Sequence, residues 1–391
     1  MRRAWALVVV LAGLGCGPAQ PPGGDELGET DASSTSAAET SSSETSAAET
    51  GSSETDASST SAAETSSSET SSDETSSGET GVSECPTQLG SITITDETDL
   101  STLACLVEAE WVEVGGSFTD LAFLSTLERV DFLIIRDNPN LVDLSGLDSL
   151  QMVDQLWLSD SPSIVDLAGL PADVSIWMVG LSSDLSSLTS LAMPPNGARR
   201  LHFTSWQRSD LALLMTASPS PTAIAVSDAP LLPNLDDIAQ CCLAQQAELE
   251  LELADTPLLT ALQGLEPFTT LAKFKLYDNP EVESLAGLVN LVQVGALGLD
   301  DECFGDWDAE LTNLQGLEQL EQVDTLTIDA QNGLVSLDGL PTDLDVGVAV
   351  FAHNPMLDQA LIDAWLASAM PGDEWGCGNL NGPACEGICP Q

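Results

Sequence analysis

Positive charge is scarce in this chain: nine Lys and Arg stand against 62 Asp and Glu in 391 residues, a formal net charge of −53. A protein so acidic repels phosphate backbones, which excludes nucleic acid as an expected partner. Histidine is nearly missing too, with only His202 and His353, and Tyr277 is the lone tyrosine. No HExxH, no GxSxG and no glycine-rich phosphate loop in a βαβ setting is present. Serines abound, but a serine nucleophile needs a base within hydrogen-bond reach, and His202 is the one strand-borne candidate. His353, in the corner AHNP, reads as a solvated side chain. The expectation is a protein that is not an enzyme and carries no cofactor. Beyond residue 15 no apolar run has the length to span a membrane.

What is present begins with an export signal. Residues 1–15, MRRAWALVVVLAGLG, place Arg2 and Arg3 before an apolar run and small residues, the pattern of a secretory signal peptide. The run stops at Cys16, and GLGC resembles a bacterial lipobox, with Gly13 where leucine is usual. That resemblance implies a diacylated Cys16 at the mature N-terminus. Gly17 rather than Asp after it implies the outer membrane, so the expected location is the cell envelope, open to surface exposure. An ordinary signal with an incidental cysteine is the competing reading.

Residues 16–84 read as a lipid-anchored stalk. ETDASSTSAAETSSSET occurs at 29–45 and again at 54–70, and residues 21–84 hold 15 Asp and Glu with no Lys or Arg. Such a segment buries too little apolar surface to offset its ordering entropy, so it is expected to be disordered. Its span lies between roughly 45 Å as a coil and about 200 Å fully stretched.

Setting Cys16 aside leaves Cys85, Cys105, Cys241, Cys242, Cys303, Cys377, Cys385 and Cys389, an even number in a disulfide-permissive compartment. Spacing suggests Cys85 with Cys105, Cys377 with Cys385 or Cys389, and Cys303 with Cys241 or Cys242. A zinc site competes poorly, because no CxxC pair is followed by a second.

From Cys85 to about residue 372 the chain is a repeat. Asn138-Pro139, Ser161-Pro162, Thr256-Pro257, Asn279-Pro280 and Asn354-Pro355 mark recurring corners, with 23 residues from Pro139 to Pro162 and again from Pro257 to Pro280. Alternating apolar pairs precede the corners, as in Leu133/Ile135 and Phe274/Leu276, and leucines three apart follow them, as in LVDLSGL (141–147) and LTALQGL (259–265). One unit cannot bury its own apolar face, but stacked units can, each short strand lying parallel to its equivalent one coil on. About eleven coils of roughly 23–25 residues are expected, making a rod roughly 50 Å long at the strand spacing of a sheet.

The only two lysines support that register. Lys273 and Lys275 flank inward Phe274 and therefore point outward; 23 residues earlier stand Glu250 and Glu252, in ELELEL. Opposite charges side by side on neighbouring strands favour this pairing by roughly 0.2–1 kcal/mol each.

The turns L-x-I-x-x-N-P-x-L-x-x-L-x-G-L resemble those of the receptor L domain, a relative of the leucine-rich repeats. The likeness covers about residues 85–372 and departs from the pattern at 176–250. It implies a right-handed parallel β-helix whose broad sheet face contacts ligands. The closing WGCGNLNGPACEG, after an expected helix in LDQALIDAWLASAM, resembles the terminal cap of bacterial lipoproteins with such repeats, giving a cap at 373–391.

Two candidate sites follow. LDDECFGDWDAEL (299–311) is the densest acidic cluster, and read as a calcium loop it offers Asp300, Asp301, Asp306 and Asp308. Phe304 and Leu311 occupy ligand positions, so a solvated acidic loop is the stronger reading. The other is the outward column of the sheet, read as Ile134, Trp157, Met178, His202, Ala225, Glu252, Lys275, Gly298, Thr327 and Val350, with Phe132 and Ile176 beside it; Met178 is placed by counting back from Leu185, and a slip of one residue puts Trp177 there instead. Its early coils form an apolar, aromatic patch, the kind of surface that marks an interaction site. Arg136, Arg200, Lys273 and Lys275 face the same side, which is expected to be less acidic than the rest. The expected ligand residues are Ile134, Trp157, Met178, His202, Arg136 and Arg200, the expected partner an extracellular or surface protein or glycan, and membrane contact only through the lipid. The alternative is a structural envelope protein whose acidic shell retains cations such as Ca²⁺ without a specific ligand.

Overall fold

Each of the longer regular strands is an apolar–polar alternation interrupted once. In β3 (Arg129–Arg136), RVDFLIIR, the side chains of Val130, Leu133 and Ile135 are buried, so two consecutive residues, Asp131 and Phe132, separate the first inward position from the second. The computed structural model describes residues 86–300 and 311–384. All of them fall in one unit, Gly78–Gln391.

Among the described residues the strands number 13: β1 (Gln88–Ile94), β2 (Glu108–Gly115), β3, β4 (Met152–Ser159), β5 (Ser175–Ser183), β6 (Arg200–Trp206), β7 (Ala223–Ser227), β8 (Glu250–Ala254), β9 (Thr270–Tyr277), β10 (Gln293–Asp300), β11 (Gln322–Asp329), β12 (Asp345–Ala352) and β13 (Asp373–Cys377). They form one sheet, every strand parallel to its neighbours and in sequence order. This is a repeat solenoid. It has more strands than the periodicity indicates, because β1 and β13 carry the sheet past the regular repeats at both ends. Within 176–250, where the consensus drifts, β5 to β8 keep their places in the sheet, with a register shift at Ser182/Ser183 of β5.

The return arms close the core. In the arm after β3, Leu141, Leu144, Leu147 and Leu150 are buried beneath the inward strand residues, and the same leucines recur in every regular coil. Each such side chain contributes about 1.5–3 kcal/mol by leaving water. The glycine of L-x-G-L is required on two counts. Gly146, Gly169, Gly264, Gly316 and Gly339 all have φ between +96° and +114°, and at Gly316 a Cβ would stand 2.2 Å from the Leu285 carbonyl oxygen of the coil before.

The corners are built by one strained residue and one buried amide. The residue ending each strand segment is left-handed: Asp137, Asp160, Asp228, Asp255, Asp278 and His353 have φ of 44–53°. Asp tolerates that region because its short polar side chain bonds locally. His353 stands there for a different reason than the solvation expected of it, since its Nδ1 lies 2.8 Å from Asp329 Oδ1. The residue after each of these corner residues then turns inward. Asn279 Nδ2 donates to the carbonyls of Tyr277 (2.7 Å) and, one coil back, Leu253 (2.9 Å), while its Oδ1 accepts from Thr256 N (2.9 Å). Asn354 does the same to Ile328 O and Gln331 N, and Asn379 to Phe351 O and Asn354 N. The ladder stops at Asn138, whose Oδ1 is buried without a partner among the described residues, because the Ser117 N–H one coil earlier is taken by Asp96.

Among the described residues two α-helices interrupt the arms: α1 (Asp236–Cys242) and α2 (Gln359–Ala369). The second, expected from its sequence, is capped by Asp358 and buries Ile362, Trp365 and Leu366, with Trp365 edge-on to Phe351. At the end of α1, Cys241 and Cys242 are bonded to each other. This overturns the expectation that one of them pairs with Cys303: Cys242 is buried in the core, and the sulfur it meets there is its own neighbour's. Cys105 and Cys377 are each disulfide-bonded, while Cys16, Cys85, Cys303, Cys385 and Cys389 lie outside the described residues, as do the signal peptide and stalk. No helix among the described residues is long and apolar enough to cross a membrane.

Candidate functional site

Because the break in alternation recurs, the outward side of the sheet carries two columns. The first runs Trp111, Phe132, Gln155 and Met178 from β2 to β5, and continues from Arg200 through Ala223 and Glu250 to Lys273. The second runs Glu113, Ile134, Trp157, Gly180, His202, Ala225, Glu252 and Lys275.

Ile134, Trp157 and His202 therefore share a column as expected, but Met178 does not join them. Gly180 holds its place, Met178 lies opposite Gln155, and Ile176 is an inward core residue opposite Val153. The cause is the corner after β5, which lacks the Asn-Pro step: left-handed Ser183 is followed at once by Asp184 and buried Leu185. Counting back from Leu185 with the regular spacing lands two residues early.

Gly180 is what lets Trp157 lie down. A Cβ there would fall 2.2 Å from indole Cε3, so the ring covers the glycine and meets His202 edge-on, centroids 5.5 Å apart. Trp157 Nε1 donates to Gln155 Oε1 at 3.1 Å. His202 Nε2 lies 3.3 Å from Ser227 Oγ. Burial pushes the imidazole below its ordinary range, and Glu252 pulls the other way.

Trp375 stands exposed on β13, at the far end of the sheet, whereas on the early strands the most exposed aromatic side chain is not Trp157. Trp177, in the extra outward position created by the break, is 52% exposed, with the Arg200 guanidinium 5.3 Å from its ring centroid. Beside it Met152 is 47% exposed, and Trp111 and Phe132 pack with centroids 5.2 Å apart. The V-x-x-L spacing of the repeat was the signal for this position, since it leaves two residues, not one, between inward side chains.

The cations on this side are already engaged by carboxylates. All seven Lys and Arg of residues 85–391 are ion-paired: Arg129 with Glu108, Arg136 with Glu113, Arg199 with Glu248, Arg200 with Glu250, Arg208 with Asp210, Lys273 with Glu252 and Lys275 with Asp300. Most of those carboxylates stand on the same face, so the charges cancel locally. The backbone register Glu250↔Lys273 and Glu252↔Lys275 is as the sequence indicates. The side chains pair diagonally instead, because Arg200 reaches across Ala223 and takes Glu250 with two hydrogen bonds of 3.1 and 3.2 Å. Lys273 turns to Glu252, and Lys275 goes forward to Asp300 at 3.4 Å.

Of the candidate calcium ligands, Asp300 ends β10 and serves that ion pair; burial pushes its carboxyl up, with Lys275 opposing. Asp301, Asp306 and Asp308 lie outside the described residues. Among the described residues no group of three or more His, Cys, Asp or Glu is placed to hold a metal ion.

No protein-family model matches the chain, and no curated protein matches it in sequence. The class rests on the fold and the face alone: a parallel-sheet solenoid with an extended outward surface, aromatic at its early strands.

Proposed function

We propose that this protein is a lipid-anchored component of the cell envelope that presents a receptor-L-domain-like, leucine-rich-repeat-like solenoid as a binding surface for an extracellular protein or glycan. The observation that carries the reading is the alignment of Trp111, Phe132, Ile134, Trp157, Trp177 and Met178 on four adjacent strands, in register and on one side. Aromatic and methionine side chains grouped on an exposed face are enriched where proteins bind partners. The apolar export signal and GLGC motif support attachment through Cys16, with the acidic Ser/Thr-rich segment as a spacer.

Cross-linking on intact cells, with the native protein compared against Trp177→Ala, tests the surface. Loss of the captured species in the variant is expected; undiminished capture would move recognition off this face. Cys16→Ser should release the protein from the membrane fraction, and retention there would contradict the anchor.

A further inference from the structure

We propose that the apolar patch and groove at the start of strands β1–β5 dock a cationic, apolar-rich polypeptide segment. The proposal rests on the binding-surface reading above and names the chemistry of its partner.

Met152 and Trp177 stand exposed at the start of β4 and β5, and a shallow groove that Met152 helps to line also holds Leu89, Glu110, Asp131 and the ion pair of Arg129 with Glu108, whose charges offset each other and leave Glu110 and Asp131 in excess. Because the alternation breaks at the same place in each strand, Glu110, Asp131, Asp154 and Trp177 are equivalent positions on β2, β3, β4 and β5. The rim of the patch is thus three carboxylates on three adjacent strands. Like charges in that relation destabilise a sheet. Elsewhere on this face Glu108, Glu113, Glu250, Glu252 and Asp300 each have a cation. Glu110, Asp131 and Asp154 have neither a cation nor a hydrogen-bond donor among the described residues.

The stacked aspartates of the corners are explained by their left-handed backbone; these three are not, since their strands are extended. The repulsion is felt: burial and then the neighbouring Asp131 push the Asp154 carboxyl above its usual range. A segment bringing Lys or Arg to the rim while laying apolar side chains on Met152 and Trp177 removes that repulsion. A neutral glycan or an acidic segment leaves it in place. Trp177 already stacks one guanidinium, that of Arg200, which is the contact a cationic partner would extend.

The test uses the full-length protein in detergent and three probes: a peptide alternating lysine and leucine, its glutamate–leucine counterpart, and a chitin oligosaccharide, each titrated by tryptophan fluorescence at two salt concentrations. The lysine–leucine peptide is expected to bind, more weakly as salt rises, and the glutamate–leucine peptide not to. Asp131→Asn and Asp154→Asn should each weaken binding about threefold. Asp324→Asn removes the same charge from the equivalent position of β11, between Gly295 and Gly347, and should change nothing. Equal losses in all three variants would reveal diffuse attraction and overturn the proposal, as would equal binding of the two peptides. Oligosaccharide binding that needs Trp177, without lysine–leucine binding, would overturn the cationic partner yet keep the face as a binding surface. If no probe binds and Trp177→Ala still captures its partner on cells, both readings fail.

Discussion

Replacing Asn279 by Ala probes the corner ladder, the feature that ties one coil to the next at its sharpest bend. The substitution removes two donations, to Tyr277 O and Leu253 O, and two acceptances, from the Thr256 N–H and the Thr256 hydroxyl. Both residues are buried, so water does not readily replace the amide. A buried backbone group left without a partner costs about 1–3 kcal/mol. The two carbonyls have second lone pairs and fall at the low end, about 1 kcal/mol each, and the Thr256 N–H costs about 2, giving a loss of about 4 kcal/mol. For a domain this large that corresponds to a fall in Tm of roughly 8–16 °C. Asn290 is the control: it also bridges coils, donating to Glu266 O at 2.9 Å, but from an exposed position, so Asn290→Ala should cost less than about 1 kcal/mol. Repeat arrays lose cooperativity, so thermal melts should be paired with amide exchange at Thr256, which should accelerate in Asn279→Ala alone. Equal losses in the two variants, or unaltered exchange at Thr256, would refute the reasoning.

Further outcomes follow from single contacts. Gly316→Ala should destabilise strongly, because its Cβ meets the Leu285 carbonyl and φ is +114°, whereas Gly90→Ala meets only a flexible Glu110 carboxylate at 3.9 Å and should be near neutral in a urea melt. With only two histidines, proton NMR can follow each, and His202 should titrate below its ordinary value of 6.5. The unfolded chain then binds that proton more readily, so the His202 contribution to stability is complete above about 6.5 and is lost as pH falls through the interval beneath it. Trp157→Ala should move the titration upward by opening the site to water; an unchanged value would place the ring elsewhere. Arg200→Gln breaks an ion pair that is more than a third exposed and should cost less than about 1 kcal/mol in a denaturant titration.

The repeat was legible in the sequence because every coil solves the same burial problem with the same spacing, so Pro139 to Pro162 and Pro257 to Pro280 already measure it. The strand register was legible for the same reason: Glu250 and Glu252 stand 23 residues before Lys273 and Lys275, and their backbones are partners. Which carboxylate each lysine takes was not legible. Long side chains choose between strands ahead and behind, and Arg200, two strands away, decides the outcome by occupying Glu250. Met178 was misplaced because the arm after β5 omits two corner residues, a local deletion that periodicity cannot see when the corner lacks its Asn-Pro mark. Trp177 and Met178 read as alternatives in the sequence, one residue apart, yet both face outward, because two residues rather than one lie between the inward Ile176 and Val179. The bond between Cys241 and Cys242 is a matter of which sulfur the core presents, and spacing along the chain favoured a more distant partner.

Hydroxyl-radical footprinting of the tryptophans on the intact protein tests the stacked register and its outward face most directly. Trp177 should oxidise rapidly and Trp206, with no exposed surface, should be protected until the protein unfolds. Oxidation of Trp206 as fast as Trp177 in the folded protein would mean that β5 and β6 do not lie as described, and the proposed binding face would go with them.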